Sequence, residues 1–254
     1  MAIAVVRPNR RRDGSLMKRR NRSRRAVAFA VLSLAATPLA AVAQHPIILE
    51  RLQGWNAAAP APPANAIRDV VKARAQQIYG ENGTCAASEI SIDNVEPATA
   101  DRFAFNALVR AAVKNAWFVT ARIPGCDPVP VRYMITRQLD DTLTTVRVNR
   151  GNSHAWESLI GDTLPNAILA ADAALERSGK KCQDNKPVLG ILRIESEQTG
   201  LGAKVFGIHY QGSWAEVWPV AMCGKIVEVT VEFTADGDGG AYTRIPGGRV
   251  RVLP

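Results

Sequence analysis

Residues 226–234 read Ile226-Val227-Glu228-Val229-Thr230-Val231-Glu232-Phe233-Thr234. Val227, Val229, Val231 and Phe233 alternate with Glu228, Thr230 and Glu232, the period of a strand with one buried and one wet face. Such a strand belongs in an antiparallel sheet, and its neighbours in sequence carry related signals. Val188–Glu195 precedes it, a longer strand falls within Val205–Met222, and Ala241–Ile245 follows. Upstream, Trp117–Ile123, Val131–Arg137 and Thr142–Asn149 are three more strands, punctuated by Pro124-Gly125 and Asp140-Asp141. Ile90–Val95 is an earlier, shorter one.

Helical periodicity interrupts this pattern three times. Ile67, Val70, Val71, Ala75 and Ile78 recur at helical spacing after Asn65, an N-cap residue type, and before Gly80. Phe105, Leu108, Val109, Ala112 and Val113 predict a second helix from about Thr99 to Asn115. A third is expected from about Leu164 to Arg177, with Asp162 or Thr163 as cap, Pro165 in its first turn and Gly179 just past its end. The order is α, β, α, three strands, α, four strands. That is α+β: mostly antiparallel sheet packed with about three helices, β-rich in the C-terminal half, and not a doubly wound fold.

The chain has 254 residues and a formal net charge of +9. Residues 1–43 hold ten of its 32 basic residues and one of its 23 acidic ones, which leaves 22 of each sign beyond them. The basic stretch Lys18–Arg25 runs into an apolar segment, Ala26–Ala36, then Thr37-Pro38 and the small-x-small triplet Ala41-Val42-Ala43. That is the layout of a secretory signal, with Met17 a natural start and Gln44 the first mature residue. Its apolar run of 11 residues is far short of the ~20 a bilayer span needs, so no membrane span is expected after cleavage. Ser23-Arg24-Arg25 also fits twin-arginine export, but Val27 and Ala28 stand where that motif prefers Phe and Leu, which favours the Sec route. Periplasmic or secreted location follows. The neutral remainder gives no electrostatic reason to expect nucleic acid as a partner.

Residues 44–64 include Ala57-Ala58-Ala59-Pro60-Ala61-Pro62-Pro63 and read as an extended tail or linker. Residues 65–254 suffice for one domain or two small halves, 65–150 and 151–254. Cys85, Cys126, Cys182 and Cys223 form an even set in an exported chain, which reads as two disulfides. Sequential pairing, Cys85–Cys126 and Cys182–Cys223, keeps each bridge within one half. No cofactor motif is present, and the scattered His45, His154 and His209 offer no metal spacing.

Three segments carry candidate chemistry. Gly151-Asn152-Ser153-His154-Ala155-Trp156-Glu157 is the densest polar cluster. A hydrolase reading makes Ser153 the nucleophile, His154 or His209 the base, and Glu157 or Asp162 the orienting carboxylate. Ala155 breaks the Gly-x-Ser-x-Gly elbow, and the plainer reading is a serine capping a helical turn. Asp236-Gly237-Asp238-Gly239-Gly240 has the alternating oxygens of a calcium loop at Asp236 and Asp238 but lacks its distal Glu, and reads first as a hairpin turn. On a strand expected through His209–Pro219, one face carries Tyr210, Gly212, Trp214, Glu216 and Trp218. If solvent-exposed, it would be a platform for a sugar or peptide; if not, it is core. The reading is therefore a non-catalytic protein that binds a small ligand, a glycan or an envelope partner. An exported hydrolase acting on envelope material and a structural envelope protein are the alternatives.

Overall fold

The computed structural model describes residues 46–80, 89–181 and 186–254. The signal segment, Gln44, Cys85 and Cys182 lie outside those residues. In chain order the elements are α1 (Pro46–Ala58), α2 (Ala64–Tyr79), β1 (Ser91–Pro97), α3 (Arg102–Val109), β2 (Val113–Arg122), β3 (Val131–Gln138), β4 (Leu143–Gly151), α4 (Glu157–Arg177), β5 (Val188–Leu189), β6 (Ile191–Glu197), β7 (Ser213–Met222), β8 (Lys225–Ala235), β9 (Ala241–Arg244) and β10 (Val250–Val252). The fold is α+β with a mostly antiparallel sheet. The described residues fall within one compact unit. No described helix is long and apolar enough to cross a membrane.

The sheet runs β1-β2-β3-β4-β6-β7-β8-β10, with β5 on β7 and β9 on β8. Its two antiparallel parts meet at one short parallel contact, where Arg150 and Gly151 of β4 pair with Ile191 and Leu192 of β6. Gly151 makes that contact possible. Its φ is +84°, and a Cβ there would run into the Leu192 carbonyl oxygen and the Ile191 side chain. Only glycine meets both demands without strain.

Strand alternation divides the core in two. Trp117, Val119 and Ala121 of β2, with Val131, Tyr133 and Ile135 of β3, face Ile67, Val71 and Ala75 of α2. Phe118 and Met134 point the other way, into a larger core shared with Trp156, Leu159 and Leu175 on or beside α4 and with Trp214, Trp218 and Phe233. The first part of the sheet is thus covered on both faces.

Several boundaries depart from expectation, each for a local reason. Residues 46–58, read as tail, form α1. Leu52 is buried, the Trp55 ring meets Phe105 edge-on with centroids 5.6 Å apart, and Asn56 donates to Thr99 Oγ1 at 2.9 Å. The apolar partner of Phe105 is therefore α1, a pairing with no local sequence signature. The α3 helix stops at Val109 because Ala111 takes φ +51°, and Val113–Asn115 open β2 instead. By contrast α4 begins at Glu157, so Asp162, Thr163 and Pro165 are inside it rather than at its cap. Its first turn is capped from a distance: buried Asp101 accepts from Ser158 N at 2.8 Å while capping α3 through Phe103 N at 2.8 Å. One carboxylate serves two helix starts. Burial pushes its pKa up against those hydrogen bonds. Pro63, not Asn65, precedes α2.

Candidate functional site

Strand register assembles a polar row on the face of the sheet turned away from α2. Asn94 of β1 lies opposite Thr120 of β2, Thr120 opposite Arg132 of β3, and Arg132 opposite Asn149 of β4. These four floor a cleft of about 250 Å³, walled by Glu96, Lys204, Ile194 and the loop from Gly151 to His154. Ile194 is the single apolar side chain among the residues lining it.

Arg132 is held by three contacts. Its guanidinium sits 4.1 Å from the centroid of the Phe118 ring, donates to the Ala155 carbonyl oxygen at 3.2 Å and pairs with Glu96. The Lys204 ammonium approaches the same oxygen, Glu96 Oε1, at 3.3 Å. Burial pushes the pKa of Arg132 down, with Glu96 the largest opposing influence. Lys204 is pushed down by burial and then by the charge of Arg132. Asn149 is 5% exposed, yet among the described residues neither its Nδ2 nor its Oδ1 has a hydrogen-bond partner. A buried amide left unpaired costs free energy, and such groups are rare enough to need a reason.

The loop wall rests on Glu216, which is fully buried and accepts five hydrogen bonds. Trp214 Nε1, His154 N and Ala155 N donate to Oε1 at 3.0, 2.8 and 3.1 Å. Ser153 Oγ and Trp218 Nε1 donate to Oε2, each at 2.8 Å. The alternation Trp214-x-Glu216-x-Trp218 therefore faces the core, and the two indole rings hold a carboxylate instead of a ligand. No solvent-facing platform exists there. Trp214 stacks on Phe233 with centroids 5.0 Å apart. Tyr210 is half-buried beside a second cavity, of about 450 Å³, and burial with the charge of Asp236 pushes its pKa up to about 12.

The hydrolase geometry is not assembled either. Ser153 Oγ donates a hydrogen bond to Glu216 and accepts from Ala155 N at 3.0 Å; it caps no helix, because Trp156 is the N-cap residue of α4. His154 Nε2 binds Glu197 at 2.6 Å. His209 Nδ1 donates to the Gly202 carbonyl at 2.7 Å, which leaves Nε2 buried and without a partner. Burial pushes this imidazole down to about 4. The two rings are 5.1 Å apart, but neither is hydrogen-bonded to Ser153. Glu157 opens α4, and Asp162 pairs with Arg102 at 2.7 Å on the surface. Asp236 spends Oδ1 on the backbone amides of Asp238 and Gly240, at 2.8 and 2.9 Å, within a hairpin turn. Among the described residues no group of three His, Cys, Asp or Glu is placed to hold a metal ion. No described cysteine is free.

The loop wall is legible in the sequence through Ser153 and His154, and the floor is not. Its one local sign was Arg132, a charge inside the apolar run Val131–Ile135. The row exists only once four strands are in register. No family model matches the chain, and comparison with curated proteins and with solved structures finds no match.

Proposed function

We propose that this is an exported, disulfide-bonded, non-catalytic binding protein that holds a small polar ligand in the cleft over Arg132 and Asn149. The observation that carries the reading is Asn149, which lines this polar cavity with a buried amide whose donor and acceptor the described chain leaves unsatisfied. Ligand groups matching both would recover what the fold leaves unmade. The leader and the even cysteine count support export, and the engagement of Ser153 by Glu216 favours binding over catalysis. A thermal-shift screen of small polar metabolites tests the cleft. At least one should raise the melting temperature of the wild-type protein and lose most of that effect in Asn149→Leu. A hit whose shift survives Asn149→Leu unchanged places the ligand elsewhere, and a screen with no hit overturns the reading. Mature protein recovered from the producing cell should begin at Gln44.

A further inference from the structure

We infer that the ligand of this cleft is a small organic carboxylate, its charge met by Arg132 and Lys204 and its adjoining hydroxyl or amide read by Asn149. The inference rests on the cleft being a binding site and adds its chemistry. Two cations line the cavity against one carboxylate, and both lean on a single oxygen, Glu96 Oε1. A guanidinium has five N–H donors and an ammonium three. Among the described residues, one Arg132 nitrogen goes to Glu96 and another to Ala155, and Lys204 has only its long contact to Glu96. Donor capacity is left over on both.

The other carboxylates near Arg132 do not take it up. Glu216 lies beneath the loop with five donors already on it, and Asp101 is committed to two helix starts. Glu157, pushed up to about 7 by burial and by Asp101, gives up much of its negative charge near neutral pH. None of the three lines the cavity. The downward shifts of Arg132 and Lys204 mean that burial outweighs the negative charge the fold supplies them. An anion in the cleft would reverse that balance.

Size and sign narrow the class. About 250 Å³ is below the ~300–1,000 Å³ usual for drug-sized ligands, and one apolar side chain leaves no place for a hydrocarbon tail. Glu96 shares the site, so the lining carries one surplus positive charge, which suits a monoanion better than a phosphate dianion. A free hydroxy or N-acyl acid and the C-terminal carboxylate of a peptide both present this chemistry.

Calorimetric titrations with lactate, N-acetylglycine, their neutral amides, inorganic phosphate, glucose, and a hexapeptide with a free or amidated C-terminus decide among these. At least one carboxylate should bind, and its amide should bind at least tenfold more weakly. Lys204→Met should weaken the carboxylate at least tenfold, whereas Glu96→Gln should strengthen it, a sign that structural damage would not produce. A preference for the free-ended peptide over the small acids identifies a chain terminus as the source; the reverse identifies a free acid. Equal binding of acid and amide, tighter binding of phosphate, or failure of every carboxylate overturns the proposal. If glucose binds instead and is lost in Asn149→Leu, the cleft reading survives while the carboxylate does not.

Discussion

Two glutamates show how differently this fold treats the same side chain. Glu216 is fully buried with five donors on its oxygens, whereas Glu157 is pushed up to about 7 by burial and the charge of Asp101, against the pull of Arg132. Between its ordinary value and about 7, the folded chain binds a proton at Glu157 that the unfolded chain does not, so this group adds stability as pH falls. His209 acts in the opposite sense. With its folded value depressed to about 4, the unfolded chain takes up the proton first, and stability falls as pH drops through the range from about 6.5 to 4. The two largely offset each other in the wild-type protein. Glu157→Gln should therefore raise the melting temperature more at pH 8 than at pH 5 and expose a loss of stability below about pH 6.5. Parallel melting curves for variant and wild type across pH 4–8 would contradict this. Glu216→Gln keeps the shape but turns an amide N–H₂ toward groups that are themselves donors. It should cost about 3 kcal/mol or more in denaturant unfolding, and Trp214→Ala about 3–5 kcal/mol. A variant with wild-type stability at either site would contradict the core assignment. The sequence shows Glu216 between two tryptophans; it does not show that their N–H groups point at it, because that depends on which face of β7 is covered.

At the scale of elements, two helices end in the same motif with different residues. After α4, Gly179 has φ +82°, its N–H bonds Glu176 O at 2.9 Å, and Lys180 N bonds Leu175 O at 3.0 Å. After α3, Ala111 has φ +51°, its N–H bonds Leu108 O at 3.0 Å, and Ala112 N bonds Ala107 O at 2.9 Å. Both are Schellman turns. The glycine was legible as a helix end, and the alanine was not, so the apolar spacing through Ala112 and Val113 extended the expected helix past its real end. A left-handed alanine costs about 1–2 kcal/mol, and glycine's freedom in the unfolded chain returns part of that. Ala111→Gly should stabilise the protein by about 0.5–1 kcal/mol, read as a higher denaturant midpoint at unchanged slope. A lower midpoint would mean that the alanine methyl makes a packing contribution larger than its backbone strain. The strands were easier to read, since Val227, Val229, Val231 and Phe233 all lie buried as their alternation requires. Helix α1 was not, because its short apolar set, anchored by Leu52, is flanked by an Ala/Pro run that resembles a linker.

At the scale of the molecule, the cleft and the cooperativity of the fold come from the same long-range joins. Composition and periodicity specify faces one strand at a time, and they cannot say that Asn94, Thr120, Arg132 and Asn149 align. Among the described strands, the two parts of the sheet meet only where Arg150 and Gly151 pair with Ile191 and Leu192, yet other links span them. Asp101 caps α4, Arg132 bonds the Ala155 carbonyl, Glu96 pairs with Lys204, Ala100 N bonds Phe206 O at 3.3 Å, and Phe118, Met134 and Val148 share a core with Trp156 and Trp218. Removing either part would expose that core face and strand Asp101 and Arg132 without their partners, each an expensive loss. Sequential disulfides, Cys85–Cys126 and Cys182–Cys223, would lie within the separate parts, so the coupling would belong to packing and not to covalent links. Scanning calorimetry of the oxidised protein should then show one transition, with calorimetric and van't Hoff enthalpies equal. Non-reducing peptide mapping completes the test, because a Cys126–Cys182 bridge would give the coupling a covalent cause. Two resolved transitions in a protein with sequential bridges would show that the shared core does not bind the parts into one cooperative unit.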